Sequence, residues 1–143
     1  MKISEIAKLS TIELKTIAPE NSVKDAVSVL NEFNIGALPV CDEAGSLVGI
    51  LSERDVLRLC GGKDVGGDLE QPVRAVMTKD LIVGVPGDDV DYVMRVMTEN
   101  RIRHLPILED GKLVGIISIG DVVKAKHEAT ETEVRFLRDY VQT

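Results

Sequence analysis

Two short stretches carry the side chains best suited to hold another molecule, LSERD at residues 51–55 and ISIGD at residues 117–121. In each, a serine precedes an aspartate by three positions, Ser52 with Asp55 and Ser118 with Asp121. Residues at that spacing share one side of a helical turn. A hydroxyl beside the free N–H groups of a helix start can receive an anion, because that end of a helix is electropositive. The carboxylate adds a strong acceptor for hydroxyl donors. The same spacing is also a helix-capping pattern, with Asp in place of the usual Glu, and both readings stay open from the residues alone.

The surroundings of the two stretches differ. Arg101, Arg103 and His104 stand ahead of the second, where the first has Asn34, Gly36 and Ala37, while Arg54 of the first faces Gly120 in the second. A local gathering of basic groups is what a polyanion requires of an acidic chain. The ordinary alternative is that these arginines pair on the surface with Glu99, Glu109 or Asp110, an arrangement worth little. Catalysis is not expected. His104 and His127 are the only histidines, and no zinc-ligand spacing, phosphate-binding glycine loop or dinucleotide fingerprint occurs. Cys41 and Cys60 stand apart from each other and read as small apolar fillers of a reducing compartment.

An internal repeat sets the elements that must position these groups. Pro19 matches Pro86 and Pro39 matches Pro106, whereas Gly49 matches Gly115 and Asp55 matches Asp121 at an offset one residue shorter. The lost residue falls between DEAG at 42–45 and EDG at 109–111, where a hairpin turn can shorten. Each copy reads as βαββα. A short strand ends at Pro19 or Pro86, and an amphipathic helix follows from N-cap candidates Asn21 or Ser22 and Asp88 or Asp89. Two strands then precede a last helix beginning at Ser52 or Ser118. Ile3, Ile6 and Ala7 match Val73, Val76 and Met77 as lead-ins to the copies. The predicted organisation is a first repeat with a lead-in helix over 1–62, a linker over 63–72, a second repeat over 73–127 and a C-terminal helix over 128–143. That last helix carries a broad apolar arc, which must close over the repeats or pack on another subunit.

Composition narrows the function classes. The chain has 143 residues, 17 Lys and Arg against 24 Asp and Glu, and a net charge of −7, which argues against a nucleic-acid binder. Phe33, Tyr92, Phe136 and Tyr140 are too few for a base-stacking platform. At 44% hydrophobic residues there is material for a core, yet no run approaches the ~18 apolar residues of a membrane span. MKISEIAKLS lacks the features of a secretory signal, so a cytoplasmic location without membrane partners is expected.

LPV, GSLVGILSERD, LPI and GKLVGIISIGD resemble the two halves of a CBS-domain pair, the regulatory module named after cystathionine β-synthase, over residues 16–60 and 83–126. RHLPI and GIISIGDVVKA further resemble small stand-alone bacterial members. The resemblance implies an α/β (α+β) fold of two repeats packed through their sheets with pseudo-two-fold symmetry, plus the C-terminal helix. It implies adenosyl ligands, AMP, ADP, ATP, NAD(H) or S-adenosylmethionine, in two clefts between the repeats, and no catalytic cofactor or metal. It also implies a disc-shaped homodimer acting as an energy or redox-state sensor toward an unidentified protein target. Asp55 and Asp121 would then accept the ribose hydroxyls. Ser52, Ser118, Arg54, Arg101, Arg103 and His104 would meet phosphates, and Ile17, Ala18, Leu38, Gly84, Val85 and Leu105 would line the adenine pocket. A ligand-free dimerising scaffold that regulates a partner is the alternative from a different class.

Overall fold

The computed structural model describes residues 1–6, 14–62 and 67–142. Ala7, residues 63–66 of the expected linker, and Thr143 at the end of the expected terminal helix lie outside the described residues. The first copy supplies α1 (Val23–Phe33), β1 (Ala37–Cys41), β2 (Leu47–Ser52) and α2 (Glu53–Cys60). The second supplies α3 (Val90–Glu99), β3 (His104–Glu109), β4 (Lys112–Ser118) and α4 (Ile119–Gln142). The fold is α+β, with the two-stranded sheets β1–β2 and β3–β4. Among the described residues no helix is long and apolar enough to cross a membrane.

The first strand of each βαββα unit is reduced to a single parallel bridge, Ile17 to Val40 and Gly84 to Ile107. The prolines explain the reduction. The Ile17 N–H donates to the Pro39 carbonyl at 3.0 Å, and the Cys41 N–H donates to the Ile17 carbonyl at 3.0 Å. Continuing that ladder backward would need an N–H from Pro39, which has none. Pro106 ends the second ladder the same way, after Gly84 has donated to its carbonyl at 2.9 Å. These prolines therefore terminate a pairing.

The lost residue of the second copy has a structural counterpart. Asp110 and Gly111 both have positive φ, 51° and 76°, the two-residue turn whose twist suits a hairpin. The longer first hairpin carries a register shift between Val40 and Cys41, where Cys41 faces Leu47 and Val48 is passed over as a bulge.

Two compact units result, one of Glu13–Ile82 with Asp110–Leu113, the other of Met1–Ile12, Val83–Glu109 and Val114–Thr143. Each repeat is completed by the other's lead-in. The start of α1 has orphan N–H groups; those of Val23 and Lys24 donate to the carbonyls of Gln71 and Leu69, each at 2.9 Å. The Val73 N–H returns to the Asn21 carbonyl at 2.8 Å. In the second copy the Val90 N–H donates to the Met1 carbonyl at 2.9 Å, and the Ile3 N–H to the Asp88 carbonyl at 2.9 Å. Each lead-in contains a 3-10 turn, Ile3–Glu5 in the first and Val73–Ala75 in the second. Val73 accordingly sits in the core of the first repeat with Ile17, Ala26, Leu30, Leu38, Val40 and Leu51.

Helix starts follow the sequence closely. Ser22 caps α1 by accepting from the Asp25 N–H at 3.0 Å, and Asp89 caps α3 by accepting from the Asp91 N–H at 2.8 Å. That N–H bond is the largest reason the Asp89 carboxyl is held below the usual carboxylate range. The end of the chain differs from expectation. The last helix of the second repeat and the helix expected from residue 128 are one continuous element, α4, because nothing after Gly120 matches the Gly61–Gly62 stop that ends α2. Cys41 is half-buried and Cys60 exposed, both as free thiols. Burial, and then the Asp42 charge, push the Cys41 thiol up, so it stays protonated at neutral pH.

Candidate functional site

Both Ser-x-x-Asp pairs form a corner where a strand passes into a helix. At the first, the Ser52 backbone N–H and hydroxyl donate to Asp55 Oδ2 at 2.9 and 3.0 Å, and Ser52 Oγ accepts from the Asp55 N–H at 3.3 Å. At the second, the Ser118 N–H donates to Asp121 Oδ2 at 2.8 Å, and Ser118 Oγ accepts from the Asp121 N–H at 3.0 Å. These are reciprocal capping bonds. They also fix each carboxylate at the electropositive end of a helix.

The two corners are not equivalent. Asp55 is buried to 6% exposure, the only charged or polar side chain in that class among the described residues. Its second oxygen is occupied as well, since the Thr78 hydroxyl donates to Oδ1 at 3.1 Å. Asp121 is half-buried. Thr78 was not singled out from the sequence. It arrives because the second lead-in packs on the first repeat, where Thr78 and Ile50 exchange backbone bonds of 2.8 and 3.0 Å. Gly49 lets that segment approach: a Cβ there would lie 3.0 Å from the Thr78 carbonyl oxygen and 2.5 Å from Met77 Sδ. The counterpart of Thr78 in the first lead-in, counted by the repeat, is Lys8, outside the described residues.

Removing only the Thr78 donor is therefore expected to matter. Thr78→Val keeps the shape and deletes one bond to a buried carboxylate, at a cost of about 1 to 2 kcal/mol in a urea unfolding series. An unchanged unfolding midpoint would show that this bond does not hold Asp55.

The basic residues fall beside the second corner through a repeated backbone contact. The first N–H of α4, from Ile119, donates to the Arg103 carbonyl at 2.8 Å, as Glu53 of α2 donates to Gly36 at 3.0 Å. Arg103 and His104 are thus brought to the helix start that holds Ser118 and Asp121. Arg101 turns the chain out of α3 with φ of 54°, the place taken in the first copy by Asn34 with φ of 50°. A left-handed conformation costs a non-glycine residue roughly 1 to 2 kcal/mol. Arg54 lies in the first turn of α2, next to Asp55 in sequence. Arg54, Arg101 and Arg103 are exposed. Among the described residues none of the three forms an ion pair with Glu99, Glu109 or Asp110.

The residues expected to line an adenine pocket separate into two groups. Leu38 is fully buried, and Ile17 and Leu105 are exposed by 6% and 2%, so these side chains spend their surface on the core. Gly84 is buried too, and a Cβ there would stand 3.0 Å from Leu105 Cδ2 and 3.1 Å from Ile107 Cδ1. Ala18 and Val85, each one position past its bridge, are the ones left exposed. No group of three or more His, Cys, Asp or Glu that could hold a metal ion occurs among the described residues.

Comparison with known proteins agrees with this architecture. The sequence model described as CBS domain matches residues 3–62 and 73–128. The CBS domain-containing protein YhcV of Bacillus subtilis is 32% identical over 120 residues, covering 84% of each chain. Among solved structures, the CBS-domain containing protein ATU1752 from Agrobacterium tumefaciens superposes with a TM-score of 0.81 at 36% identity, covering 88% of this chain and 99% of its own. CBSX2, solved in complex with AMP, superposes with a TM-score of 0.72 at 30% identity, covering 81% of this chain and 90% of its own.

Proposed function

The chain belongs to the CBS-domain family, a family of regulatory modules, and from that premise we propose that it is a non-catalytic module binding an adenosyl ligand as an energy or redox-state sensor. The candidate ligands are AMP, ADP, ATP, NAD(H) and S-adenosylmethionine. The observation that carries the reading is the repeated corner, a carboxylate set by a serine N–H at 2.9 Å in one copy and 2.8 Å in the other. A ribose offers two adjacent hydroxyls to such a carboxylate, and its phosphates find Ser52 or Ser118 at the helix start. Asp55 and Asp121 would repel phosphate placed against them, so the neutral sugar belongs at the aspartate and the charge toward the serine. Arg103, His104 and Arg101 make the second corner the better one for a polyanion. Ala18 and Val85 offer the exposed apolar surface for the base. That CBSX2, at 30% identity, was solved with AMP supports the class of ligand.

The test is a melting-temperature panel on nucleotide-stripped protein with AMP, ADP, ATP, NAD+, NADH and S-adenosylmethionine. A ligand present at about a hundred times its dissociation constant adds about 2.7 kcal/mol. For a chain of this size the expected shift is on the order of 5 to 10 °C. A shift confined to one or two ligands names the signal. A flat panel overturns the reading in favour of a ligand-free scaffold that acts on a partner protein.

A further inference from the structure

The carboxylate of Asp55 is already close to full. Each carboxylate oxygen offers two lone pairs, so the group takes about four donors. Oδ2 accepts both the N–H and the hydroxyl of Ser52, at 2.9 and 3.0 Å, and Oδ1 accepts the Thr78 hydroxyl at 3.1 Å. That leaves room for a single further donor, on Oδ1, whereas a ribose brings two adjacent hydroxyls. A resident donor must therefore leave before the sugar can bind by both. The Ser52 N–H is fixed by the cap of α2, and Ser52 Oγ is held against the carboxylate by the Asp55 N–H it accepts at 3.3 Å. Thr78 is exposed, so its hydroxyl can turn to water.

We propose that Thr78 is a latch on the first corner, a hydroxyl of the chain itself that competes with the ribose for Asp55, so that the two corners fill in order. This rests on the adenosyl reading of the site. The second corner, where Asp121 is half-buried and the Arg103 carbonyl meets the start of α4, fills first. The first, where Asp55 is 6% exposed, fills only as Thr78 gives way. The backbone bonds of 2.8 and 3.0 Å between Thr78 and Ile50 hold the competitor in place. A donor tethered in this way acts at a high effective concentration, which a free ligand must overcome. The stability that the bond gives the free protein is then subtracted from the affinity of that corner, so deleting the hydroxyl should lower the one and raise the other. A chain so built answers one ligand over two ranges of concentration.

Titration calorimetry of the full chain with AMP, with ATP and with S-adenosylmethionine tests this. At least one of them is expected to bind the wild type in two classes, the weaker by roughly tenfold or more. Thr78→Val keeps the shape and removes the donor, so it should tighten the weaker class about tenfold and leave the tighter one alone. Where the wild type takes up only one ligand per chain, Thr78→Val should add the second. Thr78→Ser, which restores the hydroxyl, should reverse that gain. The gain should persist beside Asp121→Asn, which places the latched site at the first corner. Two equal classes in the wild type, or a Thr78→Val chain that gains neither affinity nor a second site, would overturn the latch and leave the adenosyl reading standing. No heat with any of the three ligands would overturn that reading, and the latch with it.

Discussion

Asp121→Asn lowers the affinity for an adenosine-containing ligand by roughly ten- to a hundredfold. The affinity loss follows from turning charge-assisted bonds to the ribose hydroxyls into neutral ones, worth about 1.5 to 3 kcal/mol together. Asp121 is half-buried, and an asparagine oxygen can still accept the Ser118 N–H that now reaches Oδ2 at 2.8 Å. Asp55→Asn is expected to act on folding as well as on affinity. There the carboxylate is 6% exposed and takes donors from the Ser52 N–H, the Ser52 hydroxyl and Thr78, so losing its charge weakens three partly buried bonds at once. The expected cost to folding is about 1 to 3 kcal/mol. Titration calorimetry beside thermal melts separates the effects, and an unchanged affinity in both variants would remove ribose from these residues.

Much of this site was legible because its information is local. Ser52 with Asp55, and Ser118 with Asp121, lie within one turn of each other, and the repeat supplied the second corner once the first was seen. What escaped notice came through backbone groups, which carry no side-chain signature. Thr78 reaches Asp55 across a separation of 23 residues. It does so only because the carbonyls of Leu69 and Gln71 satisfy the open N–H groups of α1, an exchange that hydrophobic periodicity does not encode. Two other differences did have a signal. Pro39 and Pro106 lack the N–H that a longer first strand would need. Between Ile119 and Gln142 the single glycine, Gly120, sits in the first turn, so nothing marked an end to the helix near residue 127.

The second large effect is expected at Leu38, where the resemblance implied a ligand wall and the structure shows a core. Leu38 is fully buried among Ile17, Ala26, Leu30, Val40, Leu51 and Val73. Leu38→Ala removes three carbons from that cluster and leaves a cavity which the sheet, pinned by the Ile17 bridge on one side and β2 on the other, closes only in part. Such deletions cost about 2 to 5 kcal/mol, a large share of the ~5 to 15 kcal/mol that holds a domain together. The melting temperature should fall by on the order of 10 °C. Val85→Ala gives the opposite split. Its side chain is 49% exposed, so stability should change by about 0.5 kcal/mol or less, while an adenine ring resting on it would lose contact area and affinity. If Leu38→Ala instead melted like the wild type and lost ligand, the base would lie against Leu38, and the exposed pair Ala18 and Val85 would be ordinary surface.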